Sequence, residues 1–340
     1  MLKKVLPSIS VIIPAFNEEQ NLKRLFASLE NQTYPWKKIE YIVVNDASTD
    51  NTEKLAKTFG ARILNVSTHD IELNKGIGMH AAKNDLVYWL DADMEVLSPN
   101  FFEKLVRPLV EDPEIGASFT AEFALKGFKK VENSLLRFIS YHPLQQDPLY
   151  AFFSPSIKKQ IIKNESSYSI CKFIPGKIPA VGRILYRRKQ LLKTSVGKEK
   201  PFIDMEAVEI YTRAGHDLYA YVPSAKIRHY HAKTLQELVG KRLRNLERDY
   251  LPNLEHKYFL WFNPKDKKDI IKIIFWVIWV NLIFPELIRG VIKSSYYRDS
   301  AFMWHPIISI ATTDAIIWGF LSKKKGRNLA INLLRNIVRT

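Results

Sequence analysis

The chain has 340 residues, with Lys and Arg exceeding Asp and Glu by 51 to 35 and a formal net charge of +16. This length holds one large domain or two ordinary ones, and the charge indicates an anionic partner: nucleic acid, a phosphorylated small molecule or an anionic membrane surface. The single cysteine, Cys171, excludes an internal disulfide and indicates a reducing compartment. The N-terminal apolar run stops near Ala15 without a cleavage site, so no signal peptide is expected.

The first ninety residues alternate between β-branched runs and amphipathic segments. Strands are expected at residues 9–14, 39–44, 61–66 and 86–90, with helices between them. This order predicts an α/β, Rossmann-like fold with a mainly parallel, right-handed sheet and helices on both faces. Three of the strands end in polar loops, at residues 14–18, 46–50 and 91–95. These loops share the sheet edge where ligands bind in such folds.

Two carboxylates, Asp91 and Asp93, end the fourth predicted strand. In an extended segment they would point the same way and converge, and two unpaired carboxylates resist full ionisation together. A hard divalent cation with oxygen ligands, Mg2+ or Mn2+, would remove that conflict. A solvated turn is the alternative, because Asp is common in turns.

Four motifs occur in order along the chain: SVIIPAFNEE at residues 10–19, VNDASTD at 44–50, NKGIG at 74–78 and LDAD at 90–93. Together they resemble the family 2 glycosyltransferases, which are inverting enzymes of the GT-A fold that use nucleotide sugars. The resemblance covers about residues 8–232 and implies a GT-A catalytic domain there.

The resemblance also implies a nucleotide-sugar site. Its first loop and the aspartate after the second strand would hold the nucleobase and ribose, and the paired aspartates would hold the ribose and, through a metal, the diphosphate. The nucleotide-sugar contacts are then Pro14, Ala15, Phe16, Asn17, Glu18, Asp46, Lys75, Asp91 and Ala92. Arg183 joins them because a guanidinium suits phosphate, although it could be solvated instead. The expected metal ligands are Asp91, Asp93 and His229, with a partnered structural histidine as the alternative at His229.

Residues 202–215 carry the second strong resemblance, an acidic position followed by a helix that ends in Arg-x-Gly. Counting back from Gly215 places the family's catalytic carboxylate at Asp204, with Ile203 at the position before it, where the family is usually acidic. Glu206 is a possible substitute. One carboxylate here would act as general base toward an acceptor hydroxyl; helix-dipole stabilisation is the alternative reading of the cluster.

The C-terminal third explains the charge. Residues 235–254 form a basic amphipathic pattern that suits a membrane surface or a docked domain helix. Two apolar runs, 270–288 and 301–321, follow with lysines on both outer flanks. They predict a membrane-spanning hairpin with both flanks and the catalytic domain in the cytoplasm; a re-entrant or interfacial helix pair is the alternative. The expected organisation is a catalytic domain at 1–232, interfacial helices at 233–265 and a membrane anchor with a basic tail at 266–340.

We therefore expect a membrane-anchored, metal-dependent, inverting glycosyltransferase. It would move a sugar from a UDP- or GDP-linked donor to a lipid-borne acceptor, either a lipid-linked glycan hydroxyl or a polyprenyl phosphate. The layout resembles dolichyl-phosphate mannosyltransferases without their motif after the metal pair. A nucleotidyltransferase shares the acidic crevice and is one rival. A non-catalytic, nucleic-acid-binding membrane protein is another, but no nucleic-acid partner is expected, because the basic residues flank apolar runs and no reading motif is present.

Overall fold

The computed structural model describes residues 6–120, 133–141, 153–197, 201–247, 251 and 266–338. The chain divides into two units, one of residues 1–124 and 155–229 and one of residues 125–154 and 230–340. Residues 125–154, which lie within the predicted catalytic domain, thus group with the C-terminal helices. Residues 248–250 and 252–254 of the predicted amphipathic helix lie outside the described residues.

The first unit is built on one large sheet and a small ribbon. Its strands are β1 (Ile9–Ala15), β2 (Ile39–Asp46), β3 (Arg62–Val66), β4 (Leu86–Trp89), β5 (Met94–Val96), β6 (Ala117–Phe119), β7 (Ile161–Asn164), β8 (Ser169–Lys172), β9 (Ile184–Arg187), β10 (Leu218–Tyr221) and β11 (Ile227–His229). Its helices are α1 (Glu19–Glu30), α2 (Thr52–Phe59), α3 (Ile71–Ala81), α4 (Phe101–Glu111), α6 (Arg188–Leu192) and α7 (Asp204–Arg213), while α5 (Ser134–Tyr141) belongs to the second unit.

The large sheet has the order β3-β2-β1-β4-β9-β6-β10-β8-β7, and β5 pairs with β11 in the ribbon. The first four strands are parallel, as the sequence predicts, but β9 runs antiparallel to both β4 and β6, and β7 and β8 add further antiparallel pairings. The sheet is therefore mixed rather than mainly parallel. Because β9 is antiparallel to β4, it starts at the carboxyl end of β4, which brings Arg183 to the edge where the polar loops gather.

The core of the first unit follows from buried strands and amphipathic helices. Every residue of β1 is buried, as expected for a strand covered on both faces. Helix α1 presents Leu22, Leu25, Phe26 and Leu29 to the core at helical spacing. Helix α3 lies unusually close to the sheet, because a Cβ at Gly78 would stand 2.4 Å from Ile12 Cγ2.

The second unit is helical. Its helices after α5 are α8 (Leu235–Asn245), α9 (Lys267–Asn281), α10 (Phe284–Tyr297), α11 (His305–Ser322) and α12 (Lys324–Val338). Its core packs Phe138 and Ile139 of α5 against Leu238 of α8 and Phe302. The Arg137 guanidinium pairs with Asp299 at 3.1 Å beside this cluster.

The predicted first span is broken in the structure. Helix α9 ends at Asn281, α10 starts at Phe284, and the two axes bend by 73° at the break, where Ile283 has a positive φ of 64°. Among the described helices, none is by itself long and apolar enough to cross a bilayer, and only the bent α9–α10 pair has the combined length and composition. The two-span hairpin remains a prediction.

Candidate active site

The carboxyl edge of the parallel strands concentrates backbone strain. Asn17, Ala47, His69 and Arg183 all have φ between +52° and +57°, a region that side-chain-bearing residues rarely adopt. They follow β1 and β2, precede α3, and precede β9, so four separate connections are strained at one edge. Strain of this kind persists where the surrounding structure fixes it, and it clusters at functional sites.

The first two polar loops are held together by side chain to backbone hydrogen bonds. The Thr49 N–H donates to Asn17 Oδ1 at 2.8 Å, and the Asn17 N–H donates to Ser48 Oγ at 3.0 Å. The Glu18 N–H donates to Thr52 Oγ1 at 2.8 Å. Asn17 thus bridges the two loops, and Glu18 takes the N-cap position of α1.

Asp46, at the end of β2, is buried and holds the third loop. Its carboxylate accepts hydrogen bonds from the N–H groups of Thr68 (2.8 Å) and His69 (3.1 Å) and from Asn74 Nδ2 (2.9 Å). Burial would raise the pKa of this carboxyl, but the donors from His69, Asn74 and Thr68 outweigh it and hold the pKa below its ordinary value. Asp46 therefore fixes the loop whose His69 ring meets the exposed Phe16 edge to face, with centroids 5.9 Å apart.

Lys75 joins two carboxylates. Its side chain is only 5% exposed, and its Nζ lies 3.0 Å from Asp204 Oδ2 and 3.4 Å from Glu72 Oε2. Burial alone would lower the Lys75 pKa, but Asp204, Glu72 and Asp91 together raise it, so the ammonium stays charged. Burial raises the pKa of Glu72 to about 7; Lys75 opposes this shift, while Asp204 and Asp91 add to it.

Asp204 begins α7 and is placed by the residues just before it. The Phe202 ring stacks on Trp89 at the end of β4, with centroids 3.8 Å apart and planes 11° from parallel. The Phe202 N–H donates to the Glu72 carbonyl at 2.8 Å. The Asp204 side chain remains 39% exposed, so it can meet a ligand, and Glu206 lies in the same first turn of α7.

Asp91 and Asp93 lie in a tight turn, not in the extended segment that the sequence predicts. The Met94 N–H donates to the Asp91 carbonyl at 3.1 Å, which turns the chain between β4 and β5. Each carboxylate then meets a cationic or imidazole group: Asp91 lies 3.7 Å from an Arg183 guanidinium nitrogen, and Asp93 lies 3.0 Å from His229 Nε2. Arg183 also contacts His229 Nδ1 at 3.3 Å, which links the two pairs.

The spacing of Asp93 and His229 fits a metal. Adjacent ligands of an octahedral ion with bonds of about 2.1 Å are ~3 Å apart, and the carboxylate oxygen and ring nitrogen are 3.0 Å apart. An oxygen and an imidazole nitrogen are also donors that Mn2+ or Mg2+ accepts. His229 is brought there by β11, which pairs His229 with Met94 of β5.

The other predicted contacts line the same edge in different ways. Pro14, Ala15 and Ala92 are buried, so they can offer a ligand backbone rather than side chains. Glu18 accepts from Asn21 Nδ2 at 2.6 Å. Glu72 was missed in the sequence, although its spacing of three residues from Lys75 on a helix could have indicated a pair.

Comparison with known proteins gives one family and several partial relatives. Residues 10–168 match the model for glycosyl transferase family 2. The chain is 37% identical over 108 residues to 4,4'-diaponeurosporenoate glycosyltransferase of Staphylococcus haemolyticus, covering 29% of this chain and 28% of that protein. It is 30% identical over 119 residues to glucosyl-3-phosphoglycerate synthase of Petrotoga mobilis, covering 32% of this chain and 36% of that one. The matched part of the chain thus spans about a third of the length of each of these relatives.

A solved structure extends the likeness of the fold. The mannosyltransferase PcManGT from Pyrobaculum calidifontis, in complex with GDP-Man and Mn2+, superposes with a TM-score of 0.50 at 16% identity. The match covers 94% of this chain and 89% of that one. At this identity the likeness describes the fold.

Proposed function

We propose that the chain, whose residues 10–168 match the model for glycosyl transferase family 2, transfers a sugar, with inversion, from a UDP- or GDP-linked donor to a lipid-borne acceptor at the cytoplasmic face of a membrane. The observation that carries the proposal is one strained sheet edge that holds both an accessible carboxylate, Asp204, and a metal-type pair, Asp93 and His229. Two similar proteins are consistent with sugar transfer by name, a glucosyl-3-phosphoglycerate synthase and a mannosyltransferase, and the second is in complex with GDP-Man and Mn2+.

The sugar donor would bind at the loops of the first unit and at the turn after β4. Phe16 and His69 offer aromatic rings to a nucleobase, while Arg183 offers a guanidinium to a diphosphate. Asp91, Asp93 and His229 would hold a Mg2+ or Mn2+ ion. When bound, such an ion stabilises the charge of a departing diphosphate.

Asp204 would act on the acceptor as the general base. As an acceptor hydroxyl oxygen attacks the anomeric carbon, the bond from that carbon to the diphosphate oxygen breaks and the nucleoside diphosphate leaves. The Asp204 carboxylate takes the hydroxyl proton. The Lys75 ammonium at 3.0 Å and the stacked Phe202 hold that carboxylate in place, which is the positioning that a general base needs. A phosphate acceptor is already ionised and needs no base.

The test is a donor panel. The purified full chain in detergent, with Mn2+ or Mg2+, is offered UDP- and GDP-sugars with lipid-linked acceptors, and glycosylated product is measured. Asp93→Asn is expected to lower turnover by about 10³-fold, in line with losing an electrostatic stabiliser of the leaving group, and Asp204→Asn by about 10²–10⁴-fold.

The matched control is Asp217→Asn. Asp217 precedes β10 at the opposite edge of the sheet and pairs with Lys172 at 3.6 Å, so its removal should leave turnover unchanged. If Asp204→Asn stays near wild type while Asp93→Asn is inactive, the acceptor is a phosphate rather than a hydroxyl. No product with any donor, together with no thermal shift from UDP or GDP, would refute the transferase itself.

A further inference from the structure

The α9–α10 corner exposes large apolar side chains. Its three residues, Leu282, Ile283 and Phe284, are 57%, 51% and 73% exposed. Both helices extend this surface as exposed stripes at spacings of three and four residues, formed by Ile271, Ile274, Phe275 and Ile278 on α9 and by Ile288, Val291 and Ile292 on α10. A helix of a water-soluble domain turns such a stripe toward the core. Here the stripes point outward.

The two outer ends of the pair differ from its corner. Helix α9 begins with Lys267 and Lys268, and α10 ends with Tyr296, Tyr297 and Arg298. Lysine, arginine and tyrosine are the side chains that lie at the headgroup level of a bilayer, and the cations complement anionic lipids. Asp266 and Asp269 adjoin the two lysines, so polarity runs from charged at the start of α9, and from basic and aromatic at the end of α10, to apolar at the corner.

The carboxylate of α10 is turned inward, although Arg289, three residues later, is 40% exposed. The Glu286 carboxylate, in the first turn of α10, is fully buried and lies within hydrogen-bond distance of Trp279 Nε1 (2.9 Å), Arg289 (3.2 Å), His305 Nδ1 (2.9 Å) and Ser309 Oγ (3.2 Å). A medium without water tolerates polar groups only when they are satisfied internally. This carboxylate meets that condition while the apolar side chains around it face out.

We propose that α9 and α10 form a re-entrant wedge that enters one leaflet of an anionic phospholipid bilayer, with the Leu282–Phe284 corner at its deepest point and both outer ends on the same side. The bend supplies the geometry. An arm of 15 residues is ~22 Å long, and a symmetric V with a 73° bend would reach ~13 Å, close to one leaflet of a ~30 Å hydrocarbon core. The wedge is a mode of attachment and does not depend on the transfer reaction.

Asp314 sets a limit to the depth. This exposed residue of α11 accepts a hydrogen bond from Asn281 Nδ2, at the end of α9, at 3.1 Å. A carboxylate is costly at the centre of a bilayer and much less so near its surface. Because Asn281 adjoins the corner, this carboxylate favours an insertion shallower than the ~13 Å that the symmetric V allows.

The first test is side-specific labelling of single cysteines in the full chain in sealed membrane vesicles. Lys268→Cys marks the start of α9, Phe284→Cys the corner, and Tyr296→Cys the end of α10. The parent chain is the blank, because Cys171 is fully buried and burial raises the pKa of its thiol to about 12. With a membrane-impermeant maleimide, Lys268→Cys and Tyr296→Cys should react from the same side, and Phe284→Cys only after detergent. Reaction of the two ends from opposite sides would overturn the wedge.

The second test is flotation with vesicles of phosphatidylcholine, with and without phosphatidylglycerol. The parent should float with the anionic vesicles, and Phe284→Asp should lower its partitioning on the order of a hundredfold, since the apolar anchor is replaced by a charge. Ile162→Asp is the matched control, because Ile162 is a 60% exposed apolar residue of β7 in the first unit. Equal loss in both variants, no flotation of the parent, or labelling of Phe284→Cys in intact vesicles would assign the corner to a protein partner or to water and overturn the proposal.

Discussion

The carboxyl edge of the first unit and the α10–α11 interface of the second unit each hold a buried charged side chain with oppositely charged partners. They differ in which partner is exposed to solvent. Glu286 is fully buried, and four donors from the same unit surround it. Lys75 is equally buried, yet one of its two carboxylates, Asp204, is 39% exposed. Each set therefore has one exposed member: in the first it is the Arg289 guanidinium, 40% exposed, and in the second it is a carboxylate.

This difference separates a structural network from a chemical one. A guanidinium cannot accept a proton, so the Glu286 set offers no base to a substrate, and removing Glu286 leaves buried groups without their hydrogen-bond partner. The Lys75 set keeps a carboxylate accessible while its neighbours hold that carboxylate in position. We therefore expect variants in the second unit to lose stability and variants at the edge of the first unit to lose activity.

The largest effect on stability is expected for Glu286→Ala. It would leave the buried His305 and Ser309 side chains without their shared carboxylate and the 40%-exposed Arg289 without its partner, at a cost of about 1–3 kcal/mol for each buried group left unsatisfied. Thermal unfolding of the full chain in detergent measures it. Glu247→Ala is the control, because Glu247 forms an exposed pair with Lys323 at 2.8 Å and such pairs contribute about 1 kcal/mol or less. Similar losses in the two variants would contradict a structural role for the Glu286 network.

Glu72 should make stability depend on pH in the opposite sense to an ordinary buried ion pair. Its pKa rises from 4.5 to about 7 on folding, so the folded state binds the proton more tightly than the unfolded state. The protonated Glu72 contributes about 3 kcal/mol to the free energy of unfolding below about pH 4.5, and this contribution is lost as the pH rises to about 7.

Glu72→Gln removes this titration. The variant should gain stability relative to the parent as pH rises between those values, and melting temperatures of the two proteins across that range measure the gain. Asp46, whose lowered pKa destabilises the folded state as pH falls, is common to both proteins and cancels. Parallel curves would show that Glu72 does not titrate in this window.

Lys75→Met should cost activity more than stability. Without the ammonium, Asp204 loses the group that orients it, and we expect kcat to fall on the order of a hundredfold with little change in the donor KM. The loss of stability should be smaller than for Glu286→Ala, because Asp204 can reach solvent and Glu72 can take a proton.

Two further variants test that role. Lys75→Arg should recover part of the rate, since it restores a cation. Lys104→Met should leave kcat unchanged, because Lys104 donates to Ser98 Oγ and to the Ser224 carbonyl. A large rise in donor KM for Lys75→Met at constant kcat would instead make Lys75 a nucleotide contact, as the sequence alone suggested.

The order of strands and the polar edge could be predicted because they rest on local patterns. The β-branched runs marked β1 to β4 within one or two residues, and three loops with acidic residues marked their shared edge. The antiparallel direction of β9 could not be predicted from its four residues, because the direction of a strand depends on the strands with which it pairs. The alternation that placed Asp91 and Asp93 on one side failed because a turn, and not a strand, occupies those positions.

The other features that the sequence did not predict depend on contacts between distant segments. Lys75 and Asp204 are 129 residues apart in the sequence, and no spacing rule connects them. The apolar runs after residue 266 predicted membrane contact, but periodicity cannot reveal a bend, and the break at Ile283 is what separates a wedge from a span.

The smallest effect is expected at Glu95, the carboxylate that follows Asp93 by two residues. In the β5–β11 ribbon it lies opposite Arg228, at 2.8 Å, next to the Met94–His229 pair, and because side chains alternate along a strand it faces the other side of the ribbon. A cross-strand ion pair contributes about 0.2–1 kcal/mol, so Glu95→Gln should lower the free energy of unfolding by that amount and leave turnover within about twofold. Side-by-side assays with Asp93→Asn measure the contrast. A loss of turnover comparable to that of Asp93→Asn would show that Glu95 takes part in the reaction.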